Sequence, residues 1–441
     1  MKKLLVIGAG ESGVGAAKLG AKLGYTVLVS DFGTVADDTK QLLRDLNIEL
    51  EETSHEKAKV WGADLAVKSP GIPFGLKWIQ DLMHTTEVID EIEFAYRNKG
   101  ASKVVAITGS NGKTTTTLLT NHVMHHGGLK VGLAGNVGAS WAGQLADGLN
   151  PDVWVLELSS FQLEGLKEFR SNISIITNIT PDHLDRYTDF DHYADTKLSL
   201  FRLTTDACLY WNGDEYVNRW VNKNSQNGCG YWAYGDKNDQ AGAWQEEDIL
   251  TFNIKDNWSM SIEELALTGK HNVANTMAAG LAGKLMELRK ESIRDSLKSF
   301  ENVEHRLEFV AEVQGVEFTN DSKSTNVNAA WYALDSANKP LVWIAGGVDK
   351  GNDYTSLLEL AKLKVKALVV LGTDNEKMVN SFKEVVPVIL EASSMDEAVQ
   401  KAFELSAKGD QVMLSPVCAS FDLFENYEDR GKQFKNCVKN L

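Results

Sequence analysis

The segment 104–117, VVAITGSNGKTTTT, constrains the fold more than any other part of this chain: an apolar strand runs into a tight glycine loop that ends in Lys113-Thr114 and opens a helix. In that arrangement successive backbone N–H groups and the positive end of the helix face an anion, a lysine adds a point charge, and a threonine hydroxyl can ligate Mg²⁺. The expectation is a nucleoside triphosphate site formed by Gly109, Ser110, Asn111, Gly112, Lys113, Thr114 and Thr115. The spacing departs from the usual phosphate loop. Two residues separate Gly109 from Gly112 where GxxxxGK[ST] has four, so a strict pattern search passes over it.

At 441 residues the chain exceeds one typical core, and two to three domains are expected. Its balance of 43% hydrophobic and 24% charged residues is that of a globular protein and argues against disorder. A net charge of -16 opposes non-specific attraction to nucleic acid or anionic lipid, so neither partner is expected and anionic substrates need local basic pockets. Cys208, Cys229, Cys418 and Cys437 form no CxxC pair and no ligand-like cluster, and read as bystanders in a reducing cytoplasm. The start MKKLLVIGAG imitates a signal peptide, but the apolar run stops early at glycine and Glu11 follows, so it reads as a first strand. No stretch reaches the apolar length of a membrane span, and a cytoplasmic protein without membrane insertion is expected.

Three α/β units follow along the chain. The first, 1–97, opens with KLLVIG, then Gly8, Gly10 and Gly13, a small-residue helix, and a strand ending at Asp31: a Rossmann-like GxGxxG with an acidic residue about twenty positions on, which alone suggests NAD. The second, 98–301, alternates near-continuous apolar strands with helical patterns, the sign of a mainly parallel sheet covered on both faces. Within it 213–268 is irregular and reads only as short strands. The third, 302–441, is again Rossmann-like, with VEFTND, PLVWIAGG, ALVVLG, VPVIL and QVMLSP as strands. Sites in such sheets lie beyond the carboxyl ends of strands, where Asn320-Asp321, Gly346-Gly347 and Ser415-Pro416 fall.

Beside a phosphate loop a metal needs hard oxygen ligands at neighbouring strand ends. Glu157 ends the apolar strand DVWVLE and Thr114 is the natural second ligand, although a strand-end carboxylate facing solvent explains Glu157 equally well. The loop after NISIIT carries Asn178, Asp182, His183 and Asp185; a lone loop histidine is a soft ligand for Mg²⁺ and a weak candidate. In NDSKSTN, Asp321 and Ser324 read as caps for the helix that follows and Lys323 as a surface ion-pair partner. Lys197, in YADTKLSLF, reads as a helix-surface lysine.

Taken in order, TGSNGKTTT, ELSSFQLE, TNITPDHLDRY, GKHNVANTMAA and EHRLE resemble the motifs of the Mur ligases over essentially the whole chain, and SPVCASFDLFENYEDRG resembles the members that add D-glutamate. The resemblance implies three domains and an ATP-dependent amide ligase. It would join D-glutamate to UDP-N-acetylmuramoyl-L-alanine through an acyl phosphate, in peptidoglycan precursor synthesis; a monomer is expected. By the same resemblance Ser12, Gly13, Val14, Asp31, Phe32, Ser69, Pro70, Gly71, Asn136 and Ser159 bind the UDP-sugar, with Phe32 available for stacking on uracil. Asn272, Arg306, Asp321 and Lys350 border ATP; Lys323, Thr325, Ser420, Phe421 and Tyr427 take D-glutamate. Lys113, His183 and Lys197 are the implied catalytic residues. Two Mg²⁺ ions are implied, held by Thr114, Glu157, His183 and Lys197 as a carbamate. A sister ligase adding another amino acid is the nearest alternative. A dinucleotide-dependent oxidoreductase accounts for Gly8, Gly10, Gly13 and Asp31 but leaves the phosphate loop and third unit unused.

Overall fold

The computed structural model describes residues 2–441 except 183–186, 225–228, 255, 268, 301–303 and 350, with the side chains of all but 328 and 332. The chain forms two compact units, Met1–Phe300 and Glu301–Leu441.

The first unit holds two sheets. The N-terminal sheet contains β1 (Lys3–Ile7), β2 (Thr26–Ser30), β3 (Glu49–Glu51), β4 (Leu65–Lys68) and β5 (Glu87–Asp90) in the order β3-β2-β1-β4-β5, all pairs parallel. This is the doubly wound arrangement in which the ligand crevice opens at the carboxyl end of the first strand, where Gly8 begins the glycine loop. The second sheet contains β6 (Lys103–Thr108), β7 (Val131–Gly135), β8 (Val153–Glu157), β9 (Ser171–Ile176), β10 (Thr204–Trp211), β11 (Gly230–Gly235), β12 (Ala241–Glu246), β13 (Ile249–Ile254) and β14 (Asp256–Ser261). Its order is β14-β13-β12-β11-β10-β9-β6-β8-β7. Strand β6 lies between β8 and β9, so the loop after it is flanked by both of their carboxyl ends.

The irregular stretch resolves into a helix, Glu215–Asn224, and an extension of the sheet in which β12, β13 and β14 pair antiparallel. In β13 the buried Leu250, Phe252 and Ile254 alternate with more exposed residues, because one face of an antiparallel edge can stay wet, which blurs a strand signal. The thiols of Cys208, on β10, and Cys229, just before β11, lie 3.3 Å apart, both free.

The second unit carries β15 (Glu308–Val313), β16 (Val316–Asn320), β17 (Leu341–Gly346), β18 (Val365–Leu371), β19 (Ile389–Ala392) and β20 (Gln411–Val417) in the order β15-β16-β20-β17-β18-β19. Only β15 pairs antiparallel. Apolar side chains cover both faces, Trp343, Phe382 and Met413 on one and Phe318, Leu414 and Phe434 on the other. Among the described residues no helix is long and apolar enough to cross a membrane.

Candidate active site

The phosphate loop owes its shape to two glycines. Gly109 has φ +146°, and a Cβ there would stand 1.9 Å from Thr177 Oγ1; Gly112 has φ +78°, with its Cβ position 2.7 Å from Asn275 Oδ1. Any L side chain would be strained and crowded at both. The strand-end segment after β9 buttresses the loop: Ser110 N donates to Asn178 O at 2.8 Å, Asn111 N to Asn178 Oδ1 at 2.9 Å, and Ser110 Oγ to Thr180 O at 2.8 Å. The helix Lys113–His126 then starts on Gly112 with no side chain capping its first turn. Its leading N–H groups and dipole are therefore left for an anion, which fits a phosphate group. Lys113 Nζ donates to Gly109 O at 2.7 Å and Ser110 O at 2.8 Å, so its charge lies over the loop.

Beside this loop sits Glu157. Asn136 Nδ2 donates to its Oε1 at 2.7 Å, and Asn136 N donates to its backbone oxygen at 2.8 Å. Among the described residues its Oε2 is buried with no hydrogen-bond partner. The alternative of a carboxylate facing solvent is thus corrected: Glu157 is 1% exposed. Burying an anionic oxygen unpaired is costly, and a hard cation is the partner this geometry suits. Thr114 is likewise buried at the start of the helix.

Lys197 is the largest departure from the local reading. It lies on the helix Phe190–Arg202, is 2% exposed, donates to Gly109 O at 2.9 Å and packs 4.8 Å from the Tyr193 ring centre. Gly109 O thus accepts from two lysines. Burial, and then the charge of Lys113, push the Lys197 ammonium well below the ordinary lysine range. The helical period alone could have flagged it, since Tyr193, Ala194, Lys197, Leu198 and Phe201 share one buried stripe.

The N-terminal glycine loop opens on a cleft of about 530 Å³ lined by Gly8, Gly10, Asp31, Phe32, His55, Ser69, Gly71 and Trp78, among others. Ser69 Oγ is buried there without a partner. Asp31 is committed to the loop itself, accepting from Ala9 N at 2.6 Å and Gly33 N at 2.7 Å. Gly13 is a packing glycine, because its Cβ would meet Gly8 O at 1.9 Å; it, Ser12 and Val14 belong to the helix Glu11–Lys22 and not to the cleft lining. Phe32 is exposed, and its ring lies 6.1 Å from His55, which stacks on Trp78 at 4.6 Å. Neither His55 nor Trp78 was legible from the sequence. Burial holds His55 below the usual imidazole range, so it is neutral at pH 7.

Ser159 caps the short helix Ser160–Leu163 through Gln162 N. Asn272 accepts from Asn275 Nδ2 at 3.2 Å, and Asn275 Oδ1 in turn accepts from Thr116 Oγ1 at 3.1 Å. Asn275, one turn beyond Asn272, thus joins Asn272 to the helix Lys113–His126. His183, Asp185 and Lys350 lie outside the described residues.

In the second unit the turn after β16 also differs from its local reading. The helix Val327–Ser336 is capped by Asn326, which accepts from Ala329 N at 2.8 Å. Asp321 instead accepts from Ser415 Oγ at 2.9 Å and Leu307 N at 3.2 Å, and burial pushes it up to about 7. Ser324 is buried beside it. Lys323 is half-buried with its Nζ 3.7 Å from the Tyr427 ring centre, a cation–π contact. Arg430, fully buried, ties this turn to the end of β20: it donates from Nε to Ser322 Oγ at 3.0 Å, from Nη2 to Ser322 O at 2.9 Å and from Nη1 to Cys418 O at 3.2 Å. Val417 at φ +66° redirects the chain there, a strained backbone conformation for a β-branched residue. Ser420 is buried beyond it, Phe421 is exposed, and Thr325 and Arg306 are half-buried.

A glycine-loop crevice, an uncapped phosphate loop beside a buried carboxylate with one oxygen unpartnered among the described residues, and a separate α/β unit with a basic turn define a nucleotide-dependent ligase architecture of the Mur type. Residues 3–75 match the model of the MurD N-terminal domain, 107–283 the Mur ligase middle domain, and 305–418 the Mur ligase glutamate ligase domain. The chain is 47% identical over 445 residues to a UDP-N-acetylmuramoylalanine--D-glutamate ligase of Christiangramia forsetii, covering 100% of both chains. A protein of the same name from Porphyromonas gingivalis is 46% identical, with 99% of this chain and 98% of that one covered. Among solved structures, a pseudomurein peptide ligase type C from Methanothermus fervidus is 19% identical with a TM-score of 0.64 and 100% of both chains covered, a likeness of fold. This chain belongs to the Mur ligase family.

Proposed function

We propose that the chain joins D-glutamate to UDP-N-acetylmuramoyl-L-alanine at the expense of ATP. The observation that carries this reading is the 47% identity over full length to a relative named for that activity. The intact phosphate loop and the Lys323 turn support it. The chemistry is activation of a poor acyl donor: the alanyl carboxylate takes a phosphoryl group, the D-glutamate amine attacks the acyl phosphate, and phosphate leaves.

In this reading the N-terminal cleft holds the uridine diphosphate part, with the loop N–H groups and Ser69 Oγ facing it. The His55–Trp78 stack offers the base an aromatic wall alongside Phe32. The first turn of Lys113–His126 and the Lys113 ammonium take the triphosphate and stabilise charge on the moving phosphoryl group. Mg²⁺ would be held by Thr114 and Glu157, whose unpaired Oε2 fits it, and would supply charge neutralisation between carboxylate and phosphates.

Lys197 suits carbamylation physically, because burial disfavours its ammonium and so favours the amine form that reacts with CO₂. The carbamate would turn a cation beside Lys113 into an anionic oxygen ligand for a second ion. In the C-terminal unit Lys323, with Thr325 and Ser420, offers the groups that would bind the D-glutamate carboxylates, while Arg306 and Asp321 belong on the nucleotide side. His183 and Lys350 are carried on the family resemblance alone. The domain limits 1–97, 98–301 and 302–441 belong to the same proposal, as do a monomeric state and a cytoplasmic location.

The test is phosphate release with UDP-N-acetylmuramoyl-L-alanine, ATP and Mg²⁺ across a panel of amino acids. D-glutamate is expected to give the fastest turnover. Equal or faster turnover with L-alanine, L-lysine or diaminopimelate would overturn the assignment.

A further inference from the structure

The helix Glu91–Tyr96, which follows β5 at the end of the N-terminal sheet, buries two carboxylates that the chemistry above does not use. Glu91 Oε1 accepts from Ser140 Oγ at 2.7 Å and Ala142 N at 2.7 Å. Glu93 accepts from Lys167 N at 2.9 Å, Phe169 N at 3.0 Å and Glu168 N at 3.0 Å, with Arg97 Nε beside it at 2.9 Å. Every one of these backbone donors belongs to the segment carrying the second sheet.

The two grips fall at informative places. Ser140 caps the helix Trp141–Ala146, which directly follows the loop carrying Asn136. Residues 167–169 follow the short helix that begins just after Glu157. Asn136 and Glu157 are themselves joined at 2.7 Å. One helix of the sugar-nucleotide module therefore holds both elements that present the metal carboxylate and its partner.

Close packing reinforces the joint. A Cβ on Gly15 would lie 2.0 Å from Ser140 Oγ, Glu11 Oε1 accepts from Ser140 N at 3.0 Å, and Lys22 Nζ donates to Ala146 O at 2.8 Å. The helix Trp141–Ala146 thus meets carboxylates at its positive end and an ammonium at its negative end, all from the N-terminal module.

We propose that Glu91 and Glu93 are positioning residues that set the register between the sugar-nucleotide cleft and the phosphoryl-transfer centre. They touch neither substrate nor nucleotide. They fix Asn136 and Glu157 relative to the cleft, so that the acyl end of a substrate bound in one module meets the phosphate held by the other. This rests on the proposed ligase reading for its kinetic consequence but not for the joint itself.

The test uses the full chain with Glu91→Gln and Glu93→Gln, and Ser140→Ala as a milder variant that removes one donor and keeps both carboxylates. Three readouts are taken: kcat with UDP-N-acetylmuramoyl-L-alanine and D-glutamate, thermal shifts with UDP and with ATP separately, and amide exchange at Ala142 and 167–169. The expected result is a fall in kcat of about 10- to 100-fold, the scale of a misplacement of about 1 Å. Both nucleotide shifts should persist, and exchange at those four amides should rise. Retained kcat in the folded glutamine variants, unchanged exchange, or loss of the UDP or ATP shift together with kcat would each overturn the proposal, the last by revealing only a general structural role. A native chain that releases no phosphate with D-glutamate would fail the functional reading instead, and the exchange data would still decide whether the joint exists.

Discussion

Replacing Gly109 with alanine probes the feature on which the site depends. The backbone there has φ +146°, a region L residues rarely enter, and the added Cβ would lie 1.9 Å from Thr177 Oγ1 and 3.1 Å from Asn178 O. Unfavourable dihedrals cost about 1–3 kcal/mol and overpacking about 1–3 kcal/mol, so Gly109→Ala should destabilise its unit by about 2–6 kcal/mol. At roughly 2–4 °C per kcal/mol the melting temperature should fall by about 4–24 °C. The ATP-dependent thermal shift should vanish, because either the loop or its neighbour must move, while the UDP shift persists. A double-mutant cycle separates the two costs: Thr177→Ala removes the hydroxyl that crowds the new methyl but leaves the dihedral strain. The pair should therefore recover only part of the loss. A Gly109→Ala chain that melts within about 2 °C of the native one and keeps its ATP shift would refute the argument that this glycine is sterically required.

Lys197→Arg should lose most ligase activity, because guanidinium keeps its positive charge and cannot form a carbamate. Lys197→Ala should be partly restored by formate or acetate, and near-native turnover of the arginine variant in bicarbonate-depleted buffer would count against carbamylation. Glu157→Gln keeps an acceptor for Asn136 but removes the anionic oxygen that has no partner; turnover should fall by about 100-fold or more with no drop in melting temperature. Asp321 is raised to about 7 by burial from an ordinary 3.8. A raised carboxyl binds more protons folded than unfolded, so its contribution is fully present below about pH 4 and lost as pH rises towards 7. Urea unfolding should accordingly show Asp321→Asn gaining stability relative to the native chain between pH 4 and 8, by a few kcal/mol at most; a pH-independent difference would contradict the burial argument.

Much of this molecule was legible locally. Apolar runs ending in glycine placed β1, β6 and β17, and the phosphate loop could be read because its requirements, a strand, two glycines, a lysine and a helix start, are contiguous. The ordered motifs carried the family. The stretch 213–268 was not legible, since an antiparallel edge with one wet face lacks the continuous apolar run of a buried parallel strand.

What the chain order could not reveal was which polar side chains are buried and against what. Lys197 looks like a surface lysine until the helix Phe190–Arg202 is laid beneath the loop, which brings its Nζ to Gly109 O. Asp321 and Lys323 look like a cap and a surface charge until β20 and Tyr427 come alongside. Glu91 and Glu93 were not singled out in the sequence, and their partners are backbone N–H groups of the segment carrying the second sheet. Hydrophobic period and turn chemistry act over a few residues, so the sequence by itself determines the elements and the contiguous loop. Desolvation and the pairing of distant polar groups depend on how sheets and helices stack, so only the tertiary structure decided the burial and the partners of these side chains.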